Sequence, residues 1–319
     1  MNIIDLHCDT VLDCYIKGKD LGSAEGHINL QKLAAGASLA QCFAFFIPTH
    51  DAAVRKFGEE REPWKLYQEL LACYRKCLDG ASDVLRPALT AQQVLENCRE
   101  GYRSAILTIE DGVELDGQIE RLDTVYEDGV RMIALTWNYE NTLGFPNSSD
   151  PKEHMRGLKP FGIEAVERMN ELGIIVDVSH LSEGGFYDVA RHSRRPFAAS
   201  HSCCRAIRDH SRNLTDDQLR LLGEKGGVVG INFYYDFLGE PAAHTTIDLV
   251  IKHMLHIRDK AGIDSLAFGS DFDGIEGTLE FEDFSGFPGI LSALEKHFTD
   301  DEIDRITHGN FLRVFSDQL

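Results

Sequence analysis

Three histidines and five carboxylates stand in short polar clusters, each closing an apolar run: His7-Cys8-Asp9, Glu110-Asp111-Gly112, Ser179-His180, Ser200-His201-Ser202 and Ser270-Asp271-Phe272-Asp273. Neutral imidazole nitrogens and carboxylate oxygens are the usual donors to divalent cations such as zinc. Side chains alternate faces along a strand, so His7 and Asp9 project together and can reach one ion, while Cys8 between them turns away. A His-x-Asp pair alone is common by chance. Joined by His180, His201, Glu110 and Asp271 it becomes a set whose mutual repulsion, once gathered on one surface, divalent metal relieves. Two neighbouring ions need a bridge, and Glu110 is the candidate because a carboxylate offers one oxygen to each. Glu114 is a weaker competitor, and the segment Thr136-Trp137-Asn138 holds no lysine that could be carboxylated into a bridge.

Gathering these clusters requires a particular kind of fold. Short β-rich apolar runs recur at 2–6, 39–46, 105–109, 132–136, 174–178, 197–199, 228–233 and 266–269. Helix-like stretches with apolar residues three and four apart separate them, at 62–78, 91–99, 119–127, 161–172, 184–190, 215–222 and 246–261. Thr215-Asp-Asp-Gln reads as a capping box, and Gly173 and Gly262 stand where helices should stop. Strands joined by helices lie parallel, and eight of them closing on themselves make a (β/α)8 TIM barrel, here one catalytic domain over residues 1–319. An open doubly wound sheet is the alternative. Barrel function collects at the carboxyl ends of strands, where every cluster above falls, and this decides for the barrel.

The composition excludes several partners. Asp plus Glu number 52 against 32 Lys plus Arg, a net charge of −20, which repels nucleic acid and anionic lipid. No run is apolar for the length of a membrane span and no basic n-region leads into an apolar segment, so a cytoplasmic location is expected. The eight cysteines show no framework spacing and Cys203-Cys204 are adjacent, so reduced thiols are expected. Neither a Gly-x-Ser-x-Gly elbow, a phosphate-binding Gly-Lys loop, a Cys-x-x-Cys nor a His-Glu-x-x-His motif is present.

With these residues in place the chain resembles, nearly end to end, the membrane dipeptidase (renal dipeptidase) family, peptidase family M19, among the amidohydrolase-type barrels. The likeness runs through Asp5-Leu-His-Cys-Asp-Thr10, Ile109-Glu-Asp-Gly112, Asp177-Val-Ser-His-Leu-Ser182, Ser200-His-Ser202, Ser211-Arg-Asn213, Asn232-Phe-Tyr234, Gly269-Ser-Asp-Phe-Asp-Gly274 and Gly309-Asn-Phe-Leu-Arg-Val314. The resemblance implies a dipeptidase with two Zn2+ ions, His7 and Asp9 on one, His180 and His201 on the other, and Glu110 bridging them. A hydroxide held between the ions would attack the peptide carbonyl, Asp271 would act as acid/base, Arg212 would hold the substrate's carboxylate, and Tyr234 would touch the substrate. Tolerance of a C-terminal D-residue is part of the same implication. Where the family's animal members carry a histidine that contacts the substrate, this chain has Leu135-Thr-Trp137, and an indole donates one hydrogen bond but cannot become cationic. The mammalian signal peptide and lipid-anchor signal are absent, so membrane attachment is not expected. Two rival functions remain: another metal-dependent amide, lactone or phosphoester hydrolase on the same barrel, and a metal-binding barrel without turnover. Asp271 speaks against the second, because closed structural zinc sites need no spare carboxylate. A homodimer is expected only from the frequency of such assemblies among soluble enzymes.

Overall fold

The computed structural model describes residues 2–239 and 243–318. Eight parallel strands form a ring: β1 (Ile3–Asp5), β2 (Ser38–Phe46), β3 (Arg103–Glu110), β4 (Val130–Ala134), β5 (Ile175–Asp177), β6 (Ala198–Ser202), β7 (Val228–Ile231) and β8 (Leu266–Phe268). Pairing runs in chain order, with β2 against β3 from Ala40↔Ser104 to Phe46↔Glu110. The ring closes where Asp5 of β1 pairs with Phe268 of β8. All eight strands lie at the expected runs, and the closed ring excludes the open sheet. A further short strand, Leu85–Pro87, pairs with the start of β3 and was not expected from the alternation.

Both faces of a barrel strand are covered, so the strands read as apolar runs rather than alternating ones; all nine residues of β2 are buried. Inside the ring, Ile4, Ile106, Met132, Ile175, Ala198, Val228 and Ala267 pack with Phe311, Val314 and Phe315 of the C-terminal helix Asn310–Ser316. Asn310 fixes that helix by donating to the carbonyls of Ile263 and Leu266 at the start of β8. Along β3 the inward face therefore passes from Ile106 through Thr108 to Glu110 at the opposite rim, from apolar floor to polar mouth.

The larger core lies between strands and helices. Helices at Pro63–Gly80, Ala91–Arg99, Glu120–Glu127, Pro160–Leu172, Glu183–His192, Asp216–Glu224 and Ile247–Ala261 occupy the expected stretches. The capping box at Thr215 forms with Gln218, and Gly173 ends its helix in the left-handed conformation that glycine adopts without strain. Helices at Thr10–Lys17 and His50–Phe57 were not anticipated; both are eight residues long and start within five residues of a strand's carboxyl end. Among the described residues no helix is long and apolar enough to cross a membrane. All eight cysteines are free thiols.

Candidate metal centre

The barrel brings the five distant clusters to one rim. Oε1 of Glu110 lies 3.7 Å from Nε2 of His7, 3.0 Å from Nε2 of His180 and 3.3 Å from Nε2 of His201. Nε2 of His7 is also 3.8 Å from Oδ2 of Asp9 and 3.8 Å from Oδ1 of Asp271. Three overlapping groups have the spacing of an ion's ligands: His7 with Asp9 and Glu110, Glu110 with His180 and His201, and His7 with His201 and Asp271. His7, Glu110 and His201 each belong to two of them, so the donors form one centre rather than separate ones.

Hydrogen bonds fix which nitrogen each imidazole offers. Asn138 Oδ1 accepts from Nδ1 of His180 at 3.0 Å. Ser200 Oγ lies 2.7 Å from Nδ1 of His201 and donates its single proton to Asp177 Oδ2, so it must accept from that Nδ1. Both Nε2 atoms therefore carry lone pairs, yet they face each other at 3.1 Å. Two lone pairs so placed repel unless a cation lies between or beside them. Nε2 of His7 and Oδ1 of Asp9 are buried with no hydrogen-bond partner, which is costly for polar atoms and is relieved by coordination. Orphaned donors, neutral imidazoles and carboxylates together fit divalent metal.

Supporting residues sit immediately behind this centre. Asp177 Oδ1 accepts from the backbone N–H groups of Ser179 and Ser200, each at 2.9 Å. On the other side of the ring Asp5 accepts from Ser270 N–H at 2.7 Å and Ser270 Oγ at 2.6 Å, and from Gln41 at 2.8 Å. Gly274 is needed for space, since a Cβ there would stand 2.0 Å from Asp9 Oδ2 and 2.6 Å from Asp271 Oδ1. His180, Asp271 and Asp111 adopt positive φ, at 66°, 62° and 72°, a conformation that costs non-glycine residues about 1–3 kcal/mol and gathers at functional rims.

Electrostatics follow from burial. Burial alone would depress His7, but Glu110, Asp9 and Asp271 outweigh it and hold the ring up at about 10. Burial pushes Glu110 well above the usual carboxylate range and Asp271 up to about 6. Burial pulls His180 and His201 well below the usual imidazole range, assisted by the cationic Arg212 and His7. Ions entering this centre would meet two imidazoles in the ligating form and displace a proton from the third.

The remaining sequence candidates fall around the same mouth. Trp137 and Tyr234 line a cavity of about 340 Å³ together with Asp9, Glu110, His180 and Asp271. The Trp137 ring lies 6.1 Å from that of His180. Asp271 Oδ2 accepts from Asn232 at 2.9 Å, which leaves Oδ1 toward His7. Arg212 is no surface arginine: it is 5% exposed, donates to Ser202 Oγ and the His201 carbonyl, and has a buried Nε without a partner. Phe237 covers the guanidinium at 5.3 Å. Glu114 is fully buried, neither carboxyl oxygen has a partner, and it joins none of the three ligand groups, so it is no bridge. Cys8 turns into the core, its thiol on the Cys42 carbonyl. The sequence motifs contain Asn138, Asn232, Asp177, Ser200 and Gly274 but give none of them a role of its own. The available signal was a polar residue within or just after a strand otherwise apolar.

Comparison with known proteins gives a consistent answer. Residues 1–318 match the family described as Membrane dipeptidase (Peptidase family M19). An uncharacterized dipeptidase of Schizosaccharomyces pombe is 32% identical over 308 residues, covering 91% of this chain and 71% of the relative. Among solved structures, the dipeptidase AC, a metallo peptidase of family M19, superposes with a TM-score of 0.90 at 26% identity, covering 100% of this chain and 98% of the other. A metallo peptidase of Rhodobacter sphaeroides, bound to a phosphinate mimic of the dipeptide L-Ala-D-Ala, has the same fold, with a TM-score of 0.90 at 24% identity over 100% and 99% of the two chains.

Proposed function

The chain belongs to the membrane dipeptidase family, peptidase family M19, and is a peptide-bond hydrolase; we propose that it is a binuclear zinc enzyme cleaving dipeptides, including those with a C-terminal D-residue. The observation that carries this reading is the convergence of three imidazole Nε2 atoms on one oxygen of Glu110, within 3.7 Å. His7 and Asp9 would hold one ion, His180 and His201 the other, and Glu110 both. Bound there, the ions would supply Lewis acidity toward the scissile carbonyl and a lowered pKa for water.

The protein's own groups do the rest. Asn138 and the Asp177–Ser200 pair keep His180 and His201 in the tautomer that presents Nε2. With Oδ2 fastened to Asn232, Asp271 has Oδ1 available to take a proton from the attacking water and return it to the departing amine. Arg212 would pair with the C-terminal carboxylate, and burial beneath Phe237 strengthens that pair by keeping it out of bulk water. A free carboxylate next to the scissile bond then selects dipeptides over longer chains. Trp137 can offer one indole N–H to the substrate, but carbonyl polarisation at the centre does not depend on it.

Metal analysis of the purified protein, followed by a panel of L,L and L,D dipeptides, tests the reading. About two ions per chain and hydrolysis of both series are expected; C-terminally amidated dipeptides should be poor substrates. A fully loaded protein that cleaves no dipeptide, or that treats amidated and free forms alike, would overturn it.

A further inference from the structure

The wall of the cavity opposite Arg212 carries charge that neither the metal centre nor the carboxylate site uses. The helix His50–Phe57 follows β2 and contributes Ala52, Arg55 and Lys56 to the same cavity as Glu110, His180 and Asp271. Arg212 follows β6. In the closed ring β2 and β6 are four places apart out of eight, so the helix and Arg212 face each other across the mouth with the metal ligands between. A dipeptide whose C-terminal carboxylate meets Arg212 and whose scissile bond lies at the centre must turn its N-terminal residue toward that helix.

The path from centre to helix is apolar and then cationic. Beside His180 comes the Trp137 ring, 4.8 Å from that of Phe46 at the end of β2. Beyond it stand Arg55 and Lys56. Arg55 shares its charge with Asp51 on its own helix, while Lys56 has no ion-pair partner among the described residues. On the far side Glu276 is the cavity's exposed carboxylate, and the remaining carboxylates, Asp9, Glu110 and Asp271, belong to the metal-site rim. Two adjacent cations at one edge of a strongly acidic protein focus anions there.

We propose that Arg55 and Lys56 read an anionic side chain on the N-terminal residue, so that acidic dipeptides are the preferred substrates. This rests on the dipeptidase reading above. The methylenes of a glutamyl side chain can lie along Phe46 and Trp137 while its carboxylate reaches the cations, which favours glutamyl over the shorter aspartyl.

The test compares kcat/KM of the zinc-loaded enzyme for Glu-Ala, Asp-Ala, Ala-Ala and Lys-Ala. Glu-Ala should exceed Ala-Ala by about tenfold, the size expected of two solvent-accessible cations acting together, with Asp-Ala between them and Lys-Ala lowest. The Glu-Ala to Ala-Ala ratio should fall toward about 1 in R55Q/K56Q and invert in favour of Lys-Ala in R55E/K56E. It should also shrink between about 0.05 and 0.5 M salt, since exposed charges are screened. Thermal melting checks that the double variants remain folded. Dipeptide hydrolysis without charge preference, or a preference that survives in both double variants, would overturn this proposal alone. Failure to cleave any dipeptide would overturn the dipeptidase reading and this inference with it.

Discussion

Asp5 and Asp177 are buried at two distant places on the ring and fastened in nearly the same way. Each accepts from the backbone N–H and the hydroxyl of a serine within or just after a neighbouring strand, Ser270 for Asp5 and Ser200 for Asp177. What the serine touches next differs. Ser200 reaches the Nδ1 of His201, whereas Ser270 reaches the backbone carbonyl of His7. One local device thus orients a ligand ring on the β6 side and only the course of the main chain on the β1 side. The β6 half therefore presents prepared donors, while the β1 half, with Nε2 of His7 and Oδ1 of Asp9 lacking partners, depends more on the ion itself.

The hardest way to break this contrast is to remove a prepared donor. His180→Ala should cost one of the two proposed ions and reduce kcat/KM by more than about 10³-fold; two retained ions, counted by metal analysis, would show that the halves do not hold separate ions. Asp271→Asn should keep both ions yet lower kcat by roughly 10²- to 10⁴-fold, as loss of a general acid/base does. If an ion leaves with it, Asp271 is a ligand of the β1 half instead. Ser200→Ala should weaken metal affinity by about 10- to 100-fold in chelator competition. Ser270→Ala should leave affinity nearly unchanged and appear as a lower Tm, from a buried hydrogen bond worth about 1–3 kcal/mol; equal losses of affinity would erase the distinction drawn between the two clasps. Arg212→Lys, next to His201, should cost about tenfold in kcat/KM without changing metal content, because an ammonium lacks the planar fork.

The smallest effect concerns a carboxyl with no clasp. Glu114 is buried without a partner, and burial raises it well above its ordinary 4.5. The folded protein then retains a proton that the unfolded chain sheds above that value, so this group lowers stability as pH rises. Glu114→Gln should raise Tm by roughly 2 °C at about pH 8 and by less near pH 4.5. A gain independent of pH would mean that Glu114 is ionised in the fold, and a loss that its carboxyl has a partner.

Most of the fold was legible because barrel strands announce themselves as apolar runs, and the candidate ligands were legible because they terminate those runs. Even the turning away of Cys8 followed from strand periodicity. The supports were harder to read. Ser200 and Asp177 are short polar residues inside strands, and their value lies in a partner on the adjacent strand, 23 residues away, a distance that local spacing does not encode. Asn138 follows Thr136-Trp137 in the loop after β4, but its contact with His180 spans 42 residues. The helix His50–Phe57 is too short for a clear apolar period, so the cations it brings to the mouth went unread. Arg212 is buried because Phe237 and the β6 rim fold over it, a tertiary fact invisible in a loop sequence.

The joining of β1 to β8 sets an order of assembly. Asp5 and Ser270 are 265 residues apart, so the clasp that holds the main chain at His7 cannot form until the barrel's last strand is made. Glu110, His180 and His201 are all synthesised by residue 201, well before Asp271. On the ribosome, where chains emerge from the N-terminus, the prepared half of the centre can therefore exist as a nascent ion trap long before the ring closes. Closure is a late contact of high sequence separation and correspondingly slow. Zinc present during refolding should accordingly be taken up in two kinetic phases, the second coinciding with ring closure; a single phase for both ions would mean that neither half binds until the barrel is complete.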